Sequence, residues 1–374
     1  MNIRDARIAI VHDYLTQAGG AERIVQTLHR IWPDAPIFTS VYDRSSTFTS
    51  FQTADIRTSF LQRLPFAGTA RHHKKFLTLF PIAFEMLDLR DYDIVISSSS
   101  SFAKGVLTYP HTCHITYCHS PSRFVWRYRE YVDESGFSQL ERWLMPWVIH
   151  RLRNWDFLAA GRPDYYISNS KNVAARVKKF YRRKSAVIFP AVNTDRFNIV
   201  PDPTLHYWLC VSRLVGYKRV DLAVLAANKL GVKLKIVGTG TQSSYLKSIA
   251  GPTVEFLGRC SDYETQDLLA NCIGFIFPGD EDFGIAPIEA MACGRPIVAF
   301  RSGGALETQI EGVTGIFFDE PTVESLAFAM ETLPTLTLDA ETIREHAISF
   351  GEKRFETELL DMVQVCLDDY QQNC

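Results

Sequence analysis

The sequence predicts an α/β protein made of two Rossmann-like domains that face each other across a deep cleft. Short apolar runs alternate with segments of helical periodicity along nearly the whole chain, and such alternation gives a parallel sheet covered by helices. A proline-containing break at 190–203 interrupts the alternation midway. The 374 residues suffice for two domains of ordinary size. We therefore expect domains at 1–190 and 191–354, with a C-terminal helix from about 355 to 374 packing back on the first.

The first domain is expected to begin with a strand and to continue through alternating elements. Its apolar runs predict strands at 7–12, 36–42, 93–97, 114–118, 165–168 and 186–189. Helical periodicity predicts helices at 21–32 and 172–181. Ligands of such domains bind where the carboxyl ends of the strands meet, so the loops after these strands are the first place to look for a site.

The second domain repeats the pattern more regularly. Strands are predicted at 207–211, 234–237, 254–257, from 273, and at 296–300 and 314–318. Helices are predicted at 219–230, 241–249, 263–270 and 286–292, with a helical, acidic tail at 343–370. Alternation of this kind makes a parallel sheet that is covered by helices on both faces.

Composition and charge narrow the class of protein. Hydrophobic residues make up 46% and charged residues 22%, as in an ordinary globular protein. No apolar run approaches the roughly 18 residues that a membrane span needs, and the charged first strand is not a signal peptide. The eight cysteines are scattered, which indicates reduced thiols in a cytoplasmic protein. The spacing of Cys113, His114, Cys118 and His119 matches no zinc pattern.

The most informative stretch runs from Glu281 to Glu289. The two carboxylates flank a small, flexible Phe-Gly-Ile-Ala core between a buried strand and a short helix. This places Glu281 in the loop and Glu289 in the first helical turn. The N–H groups of the four residues between would favour an anion; these residues are Phe283, Gly284, Ile285 and Ala286. Carboxylates for sugar hydroxyls and amides for a diphosphate suit a sugar nucleotide, although Glu289 as a dipole partner and Glu281 as a solvated charge would give the same pattern.

Three other loops follow predicted strands. Arg213 and Lys218 lie in a strand-to-helix loop, placed to neutralise a diphosphate unless they are simply solvated. Gly19 and Gly20 open the first helix, where glycines allow amides to approach a phosphate or merely make a turn. The dinucleotide spacing is absent there, which argues against a nicotinamide cofactor. Gly238 lies in a turn that could line a base pocket.

His119 follows a strand of the first domain and could donate a hydrogen bond to a sugar hydroxyl. A lone histidine is more often structural, so the residue type alone does not show whether His119 binds a sugar.

Taken in order along nearly the whole chain, these loops resemble the retaining glycosyltransferases of family 4, which have the GT-B fold. The matching elements are Gly19 with Gly20, His119, Arg213 with Lys218, and the paired glutamates. Residues 97–105, 118–126 and 211–222 resemble the mannosyltransferase branch that builds bacterial surface polysaccharides from GDP-mannose.

This resemblance implies a role for each residue. Glu289 would hold the donor ribose; Glu281 and the amides of 283–286 would hold the transferred hexose, which His119 would contact near the reacting carbon. Arg213 and Lys218 would stabilise the departing diphosphate, over which Gly19 and Gly20 would let the first domain close. Because these two cations can replace a divalent ion, no metal and no cofactor is expected. Retention of anomeric configuration is implied by the resemblance alone.

The first domain is basic and the second acidic. Residues 1–200 carry 27 Lys and Arg against 17 Asp and Glu, whereas residues 201–374 carry 13 against 25. Basic and aromatic side chains are interleaved at 60–80 and 123–157, and a basic cluster follows at Lys178, Lys179, Arg182, Arg183 and Lys184. This favours an anionic membrane surface and a polyprenyl-diphosphate-linked saccharide acceptor at the inner face of the cell membrane, although a solvated basic face is equally simple. No motif supports nucleic acid.

Two alternatives to a transferase stay open. A sugar-nucleotide 2-epimerase would share the fold, and a sugar-nucleotide-binding protein without turnover would share the site. The presence of both glutamates and both cations argues against the second.

Overall fold

The computed structural model describes residues 3–65, 73–128, 139–201 and 206–373, with backbone alone at 73–75 and 139–142. The described chain divides into two compact units. One comprises Met1–Pro190 with Phe355–Cys374, and the other Ala191–Arg354. Both are parallel α/β units, so the predicted class is confirmed.

The described part of the first unit contains a parallel sheet of seven strands. They are β1 (Ile8–His12), β2 (Ile37–Thr39), β3 (Ile56–Thr58), β4 (Ile94–Ser99), β5 (Cys113–Cys118), β6 (Tyr165–Ser168) and β7 (Ala186–Val187). Their order is β3-β2-β1-β4-β5-β6-β7. The strand order therefore reverses between β1 and β4, where His12 is the register partner of Ser98.

Helices surround this sheet. Those described are α1 (Gly20–Ile31), α2 (Phe80–Glu85), α3 (Arg123–Trp126), α4 (Gln139–Ala159) and α5 (Lys171–Tyr181). Helix α1 begins at Gly20, and the carboxylate of its third residue, Glu22, accepts a hydrogen bond from the backbone N–H of Gly19, the residue before the helix. Inside, Lys104 and Asp156 form a buried ion pair with an Nζ to Oδ1 distance of 2.5 Å, which ties α4 to the loop after β4.

The second unit contains six described strands, also parallel. They are β8 (Trp208–Val211), β9 (Leu234–Val237), β10 (Val254–Gly258), β11 (Gly274–Phe277), β12 (Ile297–Phe300) and β13 (Gly315–Phe318). Their order is β10-β9-β8-β11-β12-β13. The reversal here lies between β8 and β11, which pair directly through Phe275 and Leu209.

Helices follow the strands of the second unit. They are α6 (Val220–Leu230), α7 (Ser243–Ile249), α8 (Asp262–Ala270), α9 (Ile285–Ala292), α10 (Ala305–Thr308), α11 (Val323–Thr332), α12 (Ala340–Ile348) and α13 (Glu352–Asn373). Four of them, α6 to α9, lie where they were predicted. Most of α13 belongs to the first unit, where the Phe355 ring packs edge-on against Tyr117 at 5.8 Å. The hydroxyl of Tyr165 donates to Asp369 at 2.6 Å.

Some predicted elements differ from those observed. The strand predicted at 36–42 is only Ile37–Thr39, because Ser40 and Tyr42 turn toward the loops after β1 and β3. The tail predicted as one helix is two, because the carbonyl of Phe350 accepts from the N–H of Val192 at 3.1 Å instead of continuing a helix. Six elements of the described chain were missed: the short strand β3 and the helices α2, α3, α4, α10 and α11.

Candidate active site

The strand order of the second unit brings two predicted loops together. The loop after β8 carries Arg213 and Lys218, and the loop after β11 carries Glu281. Since β8 and β11 are neighbours at the reversal of strand order, both loops leave the same point of the sheet edge. This is where open parallel sheets bind their ligands.

Lys218 and Glu281 form an ion pair at that point, from the ammonium Nζ to the carboxylate Oε2. Their side chains are 14% and 15% exposed. Arg213 is exposed, and its Nη2 donates to the hydroxyl of Tyr217 at 3.0 Å. The ion pair therefore presents a cation and a carboxylate side by side, with a second cation on the same loop.

Glu289 lies further along, on α9, and its side chain is buried. It is the fifth residue of the helix and so begins the second turn, which corrects the expected position in the first turn. The difference arises because α9 starts at Ile285 rather than at Ala286. Glu289 accepts a hydrogen bond through Oε1 from Nη2 of Arg196 at 2.7 Å. Arg196 also contacts Asp262 through Nη1 at 3.2 Å, so one guanidinium joins two acidic side chains.

The turn into α9 depends on glycine. Gly284 has φ of 93°, a left-handed conformation that L side chains rarely adopt, and a Cβ there would meet the Phe277 ring at 2.6 Å. Gly284 is the N-cap, and Ile285 and Ala286 are the first helical residues, whose N–H groups have no partner within the helix. Phe283 is buried, its ring 5.9 Å from that of Phe350.

Gly238 ends β9 beside the same loop. It has φ of 132°, and a Cβ would come 1.8 Å from the carbonyl oxygen of Ser212. The N–H of Leu214 donates to the carbonyl of Thr239 at 3.0 Å. The residue thus allows the turn after β9 to lie directly against the Arg213 loop, which explains glycine here by packing.

In the first unit, polar side chains fill the corresponding reversal between β1 and β4. Asp13 is buried and accepts from the N–H groups of Ser100, Phe102 and Ala103 at 2.6, 2.7 and 2.7 Å. His119, after β5, is half-buried, and its Nε2 lies 2.7 Å from the hydroxyl of Ser98. The loops after β1, β4 and β5 are therefore held together at one edge.

The glycine pair opens α1 beside them. The N–H of Gly19 donates to Glu22 Oε2 at 3.0 Å, so this amide is already engaged within the protein. A Cβ on Gly19 would lie 2.8 Å from the same carboxylate oxygen. The Glu22 carboxylate leaves no room for a Cβ at residue 19, which explains the glycine there. Gly20 is exposed as the first residue of the helix.

Among the described residues, no three His, Cys, Asp or Glu side chains are grouped so that they could hold a metal ion. The seven cysteines described there are free thiols. Burial raises the pKa of Cys210, behind the Lys218 loop, to about 12. That thiol stays protonated and is a poor nucleophile.

Two family models match consecutive parts of the chain. Residues 18–196 match "Glycosyltransferase Family 4", and residues 191–350 match "Glycosyl transferases group 1". Together with the two parallel sheets, these matches define a glycosyltransferase. The chain belongs to the glycosyltransferases of family 4, and the resemblance seen in the sequence is confirmed.

Curated relatives agree at low identity. The alpha-1,3/1,6-mannosyltransferase ALG2 of Homo sapiens is 26% identical, over 84% of each chain. A GDP-mannose-dependent alpha-(1-6)-phosphatidylinositol monomannoside mannosyltransferase of Mycolicibacterium smegmatis is 30% identical, over 48% of this chain and 57% of the relative. For this second relative the match therefore covers little more than half its length.

Solved structures agree on the fold. HepE of Anabaena in complex with UDP-glucose superposes with a TM-score of 0.69 at 17% identity, covering 96% of this chain and 99% of the other. WaaG, described as a glycosyltransferase involved in lipopolysaccharide biosynthesis, gives 0.65 at 15%, covering 95% and 99%. The fold is GT-B, as expected.

Several residues of these networks escaped the sequence analysis. Arg196 lies within the break at 190–203, which was interpreted only as a linker, although an arginine at the domain boundary was a usable signal. His12, Glu22 and Ser98 carry no motif by themselves, because their meeting depends on the pairing of β1 with β4.

Proposed function

We propose that this glycosyltransferase is a retaining mannosyltransferase that moves mannose from GDP-mannose to a lipid-linked saccharide acceptor. One observation carries the proposal: a cation and a carboxylate pair at the ligand edge of the second sheet, with a second cation and a second carboxylate nearby in the same unit. Two relatives are mannosyltransferases, which supports the choice of sugar.

The reaction explains why the site needs both charges. The bond between the sugar C1 and the phosphate oxygen breaks with its electron pair going to the diphosphate. The acceptor oxygen bonds to C1, and its proton passes to the departing diphosphate oxygen. Arg213 and Lys218 neutralise the charge that develops on the diphosphate, so no metal is required. Preorganised donors of this kind commonly contribute about 10²–10³ in rate each.

Lys218 has a second task in this scheme. Its ammonium already forms an ion pair with Glu281. A bound diphosphate would therefore share this ammonium with the carboxylate of Glu281 and would not bind a lysine that is otherwise solvated. Glu281 is thereby fixed next to the leaving group, where its oxygens accept from hydroxyls of the hexose. Glu289, held by Arg196, grips the ribose, and His119 of the first unit meets the hexose.

A thermal-shift screen across GDP-, UDP- and ADP-sugars tests the donor. A ligand that binds only the folded protein stabilises it by mass action, by about 2.7 kcal/mol at 100 times its dissociation constant. We expect GDP-mannose to raise the melting temperature most. A larger shift with a UDP-sugar would exclude GDP-mannose as the preferred donor, and no shift with any nucleotide sugar would contradict the site.

The acceptor proposal rests on an exposed face of α4. Trp143, Trp147 and Leu158 follow one another at helical spacing and are 68%, 69% and 70% exposed. Two other tryptophans of the predicted surface, Trp126 and Trp155, instead lie in the core, where they donate to Asp156 and Glu85. Of the rest of that predicted surface, 66–72 and 129–138 lie outside the described residues, and the side chains of Lys74 and Lys75 are likewise not described.

Large aromatic side chains standing in water are typical of an interfacial helix, and the basic cluster at 178–184 belongs to the same unit. None of the described helices combines the length and apolarity that crossing a bilayer requires. We propose peripheral binding to the anionic inner face of the cell membrane, in the cytoplasm, where a polyprenyl-diphosphate-linked acceptor resides.

Vesicle sedimentation tests this surface. Binding to anionic vesicles should weaken with salt and fall when Trp143 and Trp147 are both changed to Ser. Tyr263 on α8 is 79% exposed in the other unit, so Tyr263→Ser is a matched control that should bind normally. Equal recovery on neutral and anionic vesicles would refute the proposal.

The two alternatives are separated by product analysis. Incubation of the donor without acceptor yields an epimer if the protein is a 2-epimerase, and neither epimer nor hydrolysed donor if it only binds. Slow release of free mannose, accelerated into transfer by a lipid-linked acceptor, is the outcome expected of the transferase.

A further inference from the structure

A chain of four polar side chains crosses the reversal of strand order in the first unit. Glu22 Oε1 lies 3.7 Å from His12 Nε2. His12 Nδ1 lies 3.0 Å from the carbonyl oxygen of Ser98 and 3.2 Å from its hydroxyl. The same hydroxyl lies 2.7 Å from His119 Nε2. The series therefore runs from a buried carboxylate on α1 to the one histidine that the proposed function places at the sugar.

The proton positions along this chain follow from its partners. A carbonyl oxygen only accepts, so His12 Nδ1 must carry a proton and donate to Ser98. The other nitrogen of His12 faces the carboxylate of Glu22, which is 1% exposed. An unprotonated nitrogen there would set a lone pair against a buried negative charge. The arrangement is satisfied when His12 is an imidazolium that forms a buried pair with Glu22.

The direction of the next bond is then fixed. The protonated Nδ1 of His12 cannot accept a hydrogen bond, so the Ser98 hydroxyl cannot donate to it, and the hydroxyl proton needs another acceptor because a buried hydroxyl left without one is costly. Among the described residues, the acceptor recorded for that hydroxyl is His119 Nε2. A nitrogen that accepts is unprotonated, so the proton of a neutral His119 ring resides on Nδ1.

We propose that His12 and Ser98 are positioning residues that hold His119 as the neutral Nδ1–H tautomer, so that this nitrogen is the donor His119 offers to the transferred sugar. The last step rests on the proposed function, whereas the tautomer itself does not. The cation on His12 also opposes a second proton on His119, because Ser98 would then have to stop donating to it.

Electrostatics agree with the geometry. Burial by itself lowers the pKa of His12, but the hydrogen bond and charge of Glu22, with the charge of Asp13 and the bond to Ser98, raise it above its ordinary value overall. Glu22 is held in place by the N–H of Gly19 at 3.0 Å and by the side-chain amide of Gln17 at 3.0 Å. The Glu22 carboxylate is thus held in position opposite His12 by hydrogen bonds from two other residues.

The tautomer can be read directly by two-bond ¹H–¹⁵N spectra of the full-length protein, with His119 assigned through His119→Gln. We expect an Nδ1–H pattern for His119 in the wild type and its loss, to a mixture or to Nε2–H, in Ser98→Ala. Ser98→Thr keeps a hydroxyl and should keep the pattern. An Nε2–H pattern in the wild type would overturn the proposal, and this measurement needs no variant to fold.

Ser97→Ala is the matched control. Ser97 is the preceding residue of β4, is also buried, and bonds to His114 and Thr116 instead, at 2.9 and 2.6 Å. The proposal predicts an unchanged His119 spectrum in this variant. A change equal to that of Ser98→Ala would mean that the strand, and not the hydroxyl, sets the tautomer, and would refute the inference.

Kinetics separate this inference from the proposed function. Ser98→Ala should lower kcat for mannose transfer by about tenfold or more while the KM for the donor changes little, since orientation and not binding is lost. A normal kcat with an altered tautomer would refute the catalytic part of the inference. Absence of any transfer by the wild type would refute the proposed function and leave the tautomer result standing.

Discussion

The two units reverse their strand order in the same way but fill the reversal with different chemistry. Between β8 and β11, Lys218 meets Glu281 as an ion pair that is partly open to solvent. Between β1 and β4, a buried histidine and serine form a hydrogen-bonded series, and the buried Asp13 binds backbone amides. The sheet of the second unit thus carries a partly exposed ion pair at its reversal. In the sheet of the first unit, buried charged groups set the direction of the hydrogen bonds.

Under the proposed function this difference gives the two edges different tasks. A departing diphosphate is stabilised by preorganised cations, and a partly exposed ion pair can be shared with such a ligand. A sugar hydroxyl needs a neutral donor of defined direction, which a buried series provides without net charge at its end. The fold supplies the position at both edges, and the side chains decide the chemistry.

The largest expected effect comes from the cations of the second unit. Lys218→Ala and Arg213→Ala should each lower turnover by about 10²–10³, because the proposed function uses each as a donor to the departing diphosphate. Lys229→Ala serves as the control, since Lys229 is a surface cation of the same unit that pairs only with exposed Glu324. Steady-state rates with saturating donor measure the effect. Wild-type turnover in both active-site variants would remove these residues from the mechanism.

The next effect concerns Arg196, which bonds to the buried carboxylate of Glu289 and to the exposed carboxylate of Asp262. Arg196→Ala should raise the donor KM by roughly 10- to 100-fold with little change in kcat, because a charge-assisted bond worth about 1.5–3 kcal/mol no longer orients Glu289. Asp262→Asn removes only the second of these partners, whose side chain is 70% exposed, and should be nearly neutral. Equal effects of the two changes would show that the contact with Glu289 has no special role.

The sequence predicted the elements of both units well but not these partnerships. The strand at 234–237 was predicted with the observed bounds, because its apolar run is short and flanked by turn residues. Arg196 and Glu289 are 93 positions apart, and no local pattern relates them. Their contact depends on how α9 packs against the segment that enters the second unit, which only the folded chain defines.

The same limit explains the first unit. His119 was proposed from its place after a strand and from the family resemblance, whereas the residues that orient it were missed. His12 and Ser98 become partners only through the register of β1 with β4. Gly19 shows the converse: the sequence favoured a phosphate-binding amide, and the structure engages that amide with Glu22. Local sequence identified the glycine, but long-range packing decided what surrounds it.

A smaller effect on stability is expected at two glycines of the second unit. Comparing them separates the cost of a left-handed backbone conformation from the cost of a steric clash by the added Cβ. Gly284→Ala should lower stability by more than the roughly 1–2 kcal/mol that a left-handed conformation costs an L residue, because its Cβ also meets the Phe277 ring. Gly312 has φ of 75° with nothing within 4 Å of an added Cβ, so Gly312→Ala should show the conformational cost alone. Melting temperatures with and without donor measure both, and donor stabilisation should weaken only for Gly284→Ala. Identical results for the two variants would mean that the ring contact is relieved freely.

The smallest expected effect is a pH dependence that belongs to the first edge alone. Because the pKa of His12 is raised in the folded protein, the native state binds more protons than the unfolded state above pH about 6.5, and this contribution to stability is lost as the pH rises through the folded pKa. Glu22→Gln removes the main cause of the rise, so the variant should lack the loss of stability that the wild type shows as the pH rises above about 6.5.

A matched control exists in the second unit. Glu264 is the third residue of α8, as Glu22 is of α1, but it is exposed and accepts a hydrogen bond from the N–H of Ser261. Its pKa is lowered by the backbone and side-chain hydrogen bonds from Ser261, so Glu264→Gln changes stability in acid and not between pH 6 and 8. Denaturant titrations of the three proteins across this range measure the slopes. Parallel slopes for the wild type and Glu22→Gln would show that His12 is neutral when folded, and the buried pair would then not be the source of the series that ends at His119.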